Sequence, residues 1–298
     1  MLYRPFRERT PDTQYADRIN YILKNGILIK DTPQDVGAIT CFGELSPMVF
    51  NVENGAPLIT ERKISFWRKP IGEILAFING VRDTKTLEQE YGVSWWDKWA
   101  TEKKCRKIGV ETGDLGPGSY GAAFHDFPMP DGRTFNQFAH MIEQLKDPKL
   151  HQRRTFVVTP WIPFFNGWGE IQKAVVSPCH GWLHFRVING KLHMRMDQRS
   201  ADMPVGVPSN MIQYFALLLA VAQVSNLEPF RFCHSISDAH IYEDQVNNMK
   251  ELINRQARCL PTLTIDPDVK NLFDIRPHHF EIADYDSHPS MSDIPVAI

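Results

Sequence analysis

Ser177 to Asn210 reads SPCHGWLHFRVINGKLHMRMDQRSADMPVGVPSN. Two runs in it alternate apolar and polar residues: Leu183-His184-Phe185-Arg186-Val187 and Leu192-His193-Met194-Arg195-Met196. Asn189-Gly190 stands between them. Alternation gives each strand one face towards a core, and an Asn-Gly pair suits a tight hairpin turn. The stretch therefore predicts an antiparallel hairpin. Pro178-Cys179-His180 precedes it, and Gln198-Arg199-Ser200-Ala201-Asp202 follows, read as a polar loop. Gly206 and Pro208 then lead to Asn210 and an almost wholly apolar run, Met211 to Val224, whose length predicts a buried central helix. A thiol, a guanidinium, a hydroxyl, a carboxylate and an amide thus gather around one hairpin. Together they can hold a polar, anionic small molecule beside a sulfur nucleophile.

Working outward, Ile71, Ile74, Leu75 and Ile78 fall at helical spacing, with Glu73 among them and Gly80 ending the run. By pattern alone such a glutamate belongs on the solvent face. Val93 to Trp99 carries Trp95, Trp96 and Trp99, either core or a stacking wall for a planar ring. Thr101 to Thr112 reads as an exposed insertion. The glycine-rich loop Gly113 to Gly121 contains Tyr120 but lacks the lysine of a P-loop. Helices are expected over Thr13–Lys24 and Phe135–Leu145. Strands are expected over Leu45–Val52, Thr155–Thr159 and Phe232–Ile236, with Thr262–Ile265 as the last strand of the sheet. Arg153-Arg154 stands just before one of these strands, where paired arginines are ordinarily solvated.

Composition narrows the class. The chain has 298 residues, 43% of them hydrophobic, and a formal net charge of -2. This charge gives no reason to expect nucleic-acid or membrane partners, and no apolar run reads as a membrane span. The N-terminus lacks the apolar stretch of a secretory signal. Five scattered cysteines form no C-x-x-C pair, so neither a zinc site nor a disulfide framework is suggested, and a reducing cytoplasm is the expected compartment. No repeat or linker interrupts residues 1–298, which read as one catalytic domain.

Pro178-Cys179-His180, then Gln198-Arg199-Ser200-x-Asp202, then Gly206-x-Pro208-x-Asn210 resembles the active-site core of the thymidylate synthase family, and the likeness runs from about Phe42 to Ile298. The resemblance implies an α+β fold, a mixed twisted sheet flanked by helices, paired sheet to sheet in a homodimer with shared active sites. It implies one-carbon transfer from 5,10-methylenetetrahydrofolate to C5 of a pyrimidine nucleotide through a covalent Cys179–C6 adduct, with no metal. Deoxyuridylate methylation is the favoured reading. Hydroxymethylation, with water replacing hydride, is the alternative, and a non-catalytic nucleotide- or RNA-binding homologue comes third.

By the same resemblance, Cys179, Glu73, Tyr120, Asn210 and Arg199 are catalytic. Arg153 and Arg154, brought from the second subunit, join Arg199 and Ser200 at the nucleotide phosphate. His240 and Tyr242, in Asp238-Ala239-His240-Ile241-Tyr242, hold the sugar hydroxyl. Trp95, Trp96, Trp99, Asp202, Gly206, Ser209 and the C-terminal Ile298 line the folate pocket. Asn210 matches the O4/N3 edge of uracil, whereas relatives acting on cytidylate carry aspartate there. Three departures stand out. The loop Asp31 to Gly37 lacks the family's phosphate-binding arginine, the glycine-rich loop is one residue longer, and Ser209 replaces an aromatic while Trp95 replaces an aliphatic. The last pair reads as a roughly volume-conserving exchange.

Overall fold

Asn189 and Gly190 both adopt positive φ, 52° and 75°, giving the tight turn expected of them. The computed structural model describes residues 2–167, 169–291 and 294–297. Its elements are α1 (Gln14–Asn25), β1 (Ile27–Ile29), β2 (Ala38–Phe42), β3 (Met48–Asn51), α2 (Arg68–Ile78), α3 (Thr84–Tyr91), α4 (Glu102–Ile108) and α5 (Tyr120–His125). There follow β4 (Phe127–Pro128), β5 (Thr134–Phe135), α6 (Gln137–Leu145), β6 (Phe156–Val158), β7 (Trp182–Ile188), β8 (Lys191–Asp202), α7 (Gly206–Val224), β9 (Glu228–Tyr242), α8 (Val246–Leu252), β10 (Thr262–Ile265) and β11 (Phe280–Ala283).

The main sheet runs β1-β2-β9-β8-β7-β6, with β3 also on β9. It is mixed, because β8 and β9 run parallel and the other pairs are antiparallel. Parallel neighbours need a crossover, and α7 supplies it. The inward residues of β7 and β8, Leu183, Phe185, Val187, Leu192, Met194 and Met196, are all buried. So is nearly all of α7. Helix α2 packs on α7, so its own run from Pro70 to Ile78 is buried throughout. The result is the expected α+β fold, a mixed sheet flanked by helices.

Several expectations are corrected. Residues Gln198 to Asp202 are strand, because β8 continues in register along β9, pairing Ser200 with Asp238 and Asp202 with His240. Leu45 to Pro47 lie outside β3. The strand at Thr262 leaves the main sheet and pairs only with β11. The Thr101–Thr112 segment is no bare insertion, since α4 buries Cys105 and Ile108. Helix α7 is long and apolar enough to cross a membrane by length and composition, contrary to the reading of the sequence. It lies instead within the core, with 89% of its most apolar window buried.

Candidate active site

Cys179 sits in the loop between β6 and β7, held by its backbone before its side chain. Its carbonyl accepts from the Arg199 N–H at 2.8 Å, and its N–H donates to the Tyr120 hydroxyl at 2.7 Å. Gly181, at φ 96°, lets the chain turn here; a Cβ would lie 2.8 Å from the Tyr214 hydroxyl and 2.9 Å from Phe124. The Arg199 guanidinium closes the loop from the strand side. Its Nε donates to the Pro178 carbonyl at 2.7 Å, and its Nη2 donates to the Ser177 carbonyl at 2.9 Å and to Cys179 Sγ at 3.3 Å. Burial pushes the Cys179 thiol up and the Arg199 charge pulls it down, with a net rise. The expectation of a thiolate favoured by Arg199 thus holds for the sign of that one contribution, while desolvation outweighs it in the free chain.

Behind the sulfur, Tyr120 opens α5 in a stack, its ring 4.9 Å from Phe77 and 4.6 Å from His180. Burial keeps its phenol protonated. His180 pairs through Nδ1 with the Tyr214 hydroxyl at 2.6 Å. Burial drops its pKa to about 3, so the ring is neutral.

Glu73 is only 6% exposed, which corrects the solvent-face reading of its helix. Helix α2 is covered on all sides, so even its polar position faces inward. Oε1 accepts from both Trp95 Nε1 at 2.6 Å and Trp96 Nε1 at 2.7 Å, while Oε2 accepts from Gln213 Nε2 at 3.0 Å. Burial raises its pKa, and those three donors oppose the rise. Gln213 also accepts from Asn210 Nδ2 at 3.1 Å, so Glu73 and Asn210 belong to one cluster. The indole of Trp95, the enlarged position, points its N–H at this cluster. Ser209, one residue before Asn210, is half-buried.

A second carboxylate, Asp238, lies across the β8–β9 register from Ser200. It accepts from the Ser200 hydroxyl at 3.0 Å and from the Thr40 hydroxyl, with His240 Nδ1 at 3.5 Å. Burial would raise its pKa, but His240, Thr40 and Ser200 together bring it down to about 2. Tyr242 meets His240 edge-on at 5.1 Å. Asp202 caps the entry to α7, its Oδ1 accepting from the Val205 N–H at 3.1 Å ahead of Gly206, and burial raises its carboxyl. Gln245 Nε2 donates to Asp202 Oδ2 at 3.2 Å and to the Pro295 carbonyl at 2.9 Å, tying the C-terminal segment to this carboxylate.

Not every expected residue joins. The side chains of Arg153 and Arg154 are exposed and make none of these bonds; their carbonyls accept from Arg186 and His184 on the outer face of β7. Trp99 faces α4, with Lys104 Nζ 4.3 Å from its ring centre. Ile298 lies outside the described residues. Gln198 and Asp238 were quoted from sequence only as motif letters without a role, and Gln213 and Gln245 were not singled out. Gln198 and Asp238 had their motifs as a signal and Gln213 its place as an amide inside an apolar run; Gln245 had none. Among the described residues no three His, Cys, Asp or Glu side chains come together as a metal site.

A half-buried thiol beside a guanidinium, with a buried acid–amide cluster behind it, is a site for adding sulfur to a polar ring and moving protons on it. The family model for thymidylate synthase matches residues 13–298, and the chain belongs to that family. It is therefore an enzyme of folate-dependent one-carbon transfer to C5 of a pyrimidine nucleotide, with methylenetetrahydrofolate as cosubstrate.

Proposed function

We propose that the chain methylates deoxyuridylate to thymidylate. In this reading Cys179 Sγ attacks C6 of the uracil ring, and the bond pair moves to make C5 nucleophilic. Arg199, already 3.3 Å from the sulfur, stabilises the thiolate as it forms. Tyr120 fixes the attacking loop through the Cys179 N–H. Glu73 takes and returns protons at the base through its cluster, and Asn210 meets O4 and N3–H. His240 and Tyr242, with Asp238, hold the sugar side, and Ser200 joins Arg199 at the phosphate.

The folate, when bound, supplies the one-carbon unit and then the hydride that reduces it. Trp95 and Trp96, with the Asp202 carboxylate, suit a flat ring bearing N–H donors. The observation that favours methyl over hydroxymethyl is the link Asp202–Gln245–Pro295. It holds the C-terminal segment against the carboxylate meant for the folate, and a closed, dry site excludes the competing water.

Arg199 spends three donor contacts on the 177–179 loop, leaving few for a dianionic phosphate. Arg153 and Arg154, exposed on the edge of the outer sheet face, fit that task from a second copy. This supports a homodimer with shared sites. That face carries Val157, 58% exposed, with half-buried Trp182 on the neighbouring strand; half-buried Phe230 lies further across it on β9, against His193.

The deciding experiment is product mass after incubation with deoxyuridylate and methylenetetrahydrofolate. Thymidylate with dihydrofolate is expected. A 5-hydroxymethyl product with tetrahydrofolate would overturn the reading in favour of water addition. Mixing inactive Cys179→Ala and Arg153→Ala/Arg154→Ala variants should restore activity on subunit exchange; an exchanged dimer that stays inactive would refute shared sites.

A further inference from the structure

Asn210 lies between two glutamines. Gln198 Nε2 donates to Asn210 Oδ1 at 3.1 Å, and Asn210 Nδ2 donates to Gln213 Oε1 at 3.1 Å. A carboxamide keeps its shape after a half-turn about its last bond, so its polarity is set by its partners. Here the NH2 of each glutamine is anchored on an oxygen acceptor, the Ser200 carbonyl for Gln198 and the ionised Glu73 carboxylate for Gln213. Gln213 Nε2 donates to the Glu73 carboxylate at 3.0 Å, and Gln198 Nε2 donates to the Ser200 carbonyl at 3.0 Å. Turning either glutamine would set oxygen against oxygen. His234 adds a third restraint, its Nε2 standing 2.9 Å from Gln198 Oε1. An oxygen acceptor there requires that nitrogen to carry the hydrogen. All of Glu73, Gln198, Asn210, Gln213 and His234 are buried, so water does not substitute for these partners.

The donor count then fixes what Asn210 has left. One N–H on Nδ2 and one lone pair on Oδ1 remain, in a polarity the amide cannot reverse alone. Uracil offers an acceptor at O4 and a donor at N3; cytosine offers the reverse. A free asparagine could turn to suit either base. A clamped one accepts only the first.

We propose that Gln213 is a specificity-positioning residue, which passes the acceptor character of the ionised Glu73 carboxylate to Asn210 and so locks that amide in the polarity that reads uracil. Gln198 holds the same lock from the other side. The proposal rests on the reading of Asn210 as the group that faces the base. Gln213 lies three residues after Asn210 on α7, so both share one helix face and the lock needs no further element.

The test measures Kd for deoxyuridylate and deoxycytidylate by calorimetry on the full chain. The variants are Gln213→Met, Gln213→Glu, Gln198→Met and Asn210→Asp. Gln213→Met keeps length and removes both bonds. It should cut the uracil-over-cytosine ratio by about tenfold, the worth of one net hydrogen bond. Gln213→Glu should keep the ratio: two adjacent carboxyls share one proton, and a protonated Glu donates to Glu73 while accepting from Asn210, as glutamine does. A purely structural role would not favour glutamate over methionine in a buried helix. If Gln213→Met fails to fold, Gln198→Met reads the same lock and should show the same fall. An unchanged ratio in the methionine variants, with a shifted ratio in Asn210→Asp, overturns the lock alone. An unchanged ratio in Asn210→Asp as well overturns the base-reading role of Asn210 and the lock with it.

Discussion

Two carboxylates flank the Cys179 loop, and their surroundings push them in opposite directions. Glu73 comes from a helix buried on every side; three N–H donors converge on it and its pKa still rises. Asp238 comes from a strand at the rim of the site. Its donors are two hydroxyls and an imidazole, and its pKa falls to about 2. The difference is desolvation. Neutral donors offset part of the cost of burying a charge fully, whereas at a partly wet site similar bonds win outright. The deep carboxylate is pushed towards its protonated form, and the rim carboxylate is held ionised. Such a divergence separates a proton carrier from an anchor.

The largest expected effect comes from removing the deep charge. Glu73→Gln should lower kcat by about 10²–10⁴-fold, the usual worth of a positioned acid–base group. A loss under tenfold in a steady-state assay would deny Glu73 that role.

A smaller change sharpens the comparison. Trp95→Phe keeps a ring but removes one of the two indole donors on Oε1. A donor to the charged form holds the pKa down, so its loss raises Glu73 further, and the acid limb of the kcat profile should move to higher pH. The accompanying fall in kcat at neutral pH should be about tenfold or less, as one hydrogen bond allows. An acid limb that stays in place would show that Trp95 only fills space.

The smallest effect concerns the rim. The Asp238 pKa is depressed in the folded chain, so its stabilisation is present above about pH 4 and is lost as pH falls towards 2. Asp238→Asn should therefore destabilise the chain at neutral pH by about 1 kcal/mol, a figure discounted for solvent screening because the side chain is about one-third exposed. Denaturant melts of the two forms should converge near pH 2. Curves that stay parallel from pH 7 to 2 would break the contrast with Glu73.

These two carboxylates also mark how far the sequence could be read. Alternation about Asn189-Gly190 made the hairpin legible, because period and turn chemistry agree there. The end of β8 was not, because Gln198-Arg199-Ser200 reads as loop until β9 lies beside it; pairing, not propensity, makes it strand. The family's motifs were legible as residue types. Their wiring was not: whether Glu73 faces water depends on what covers α2, and Gln213 carries no pattern beyond being polar among apolar neighbours. Asp238 was quoted only as the first letter of a motif, and its hydrogen-bond donor Ser200 lies 38 positions earlier. The segment at Thr262 looked like a sheet strand and is one, but nothing local says which sheet it joins.

The β8–β9 ladder slips by one residue between Leu192 and His193, where Phe230 is the extra residue on β9. That irregularity sits at the far end of the sheet from Cys179, yet it sets the phase of everything beyond it. With the slip, Ser200 faces Asp238; without it, Ser200 would face Ser237, and each site residue of β9 would turn to the opposite side. A single inserted or deleted residue between Phe230 and Asp238 would therefore act as a simultaneous exchange of Asp238, His240 and Tyr242. Loops of this chain can vary in length, but this span of β9 is a ruler.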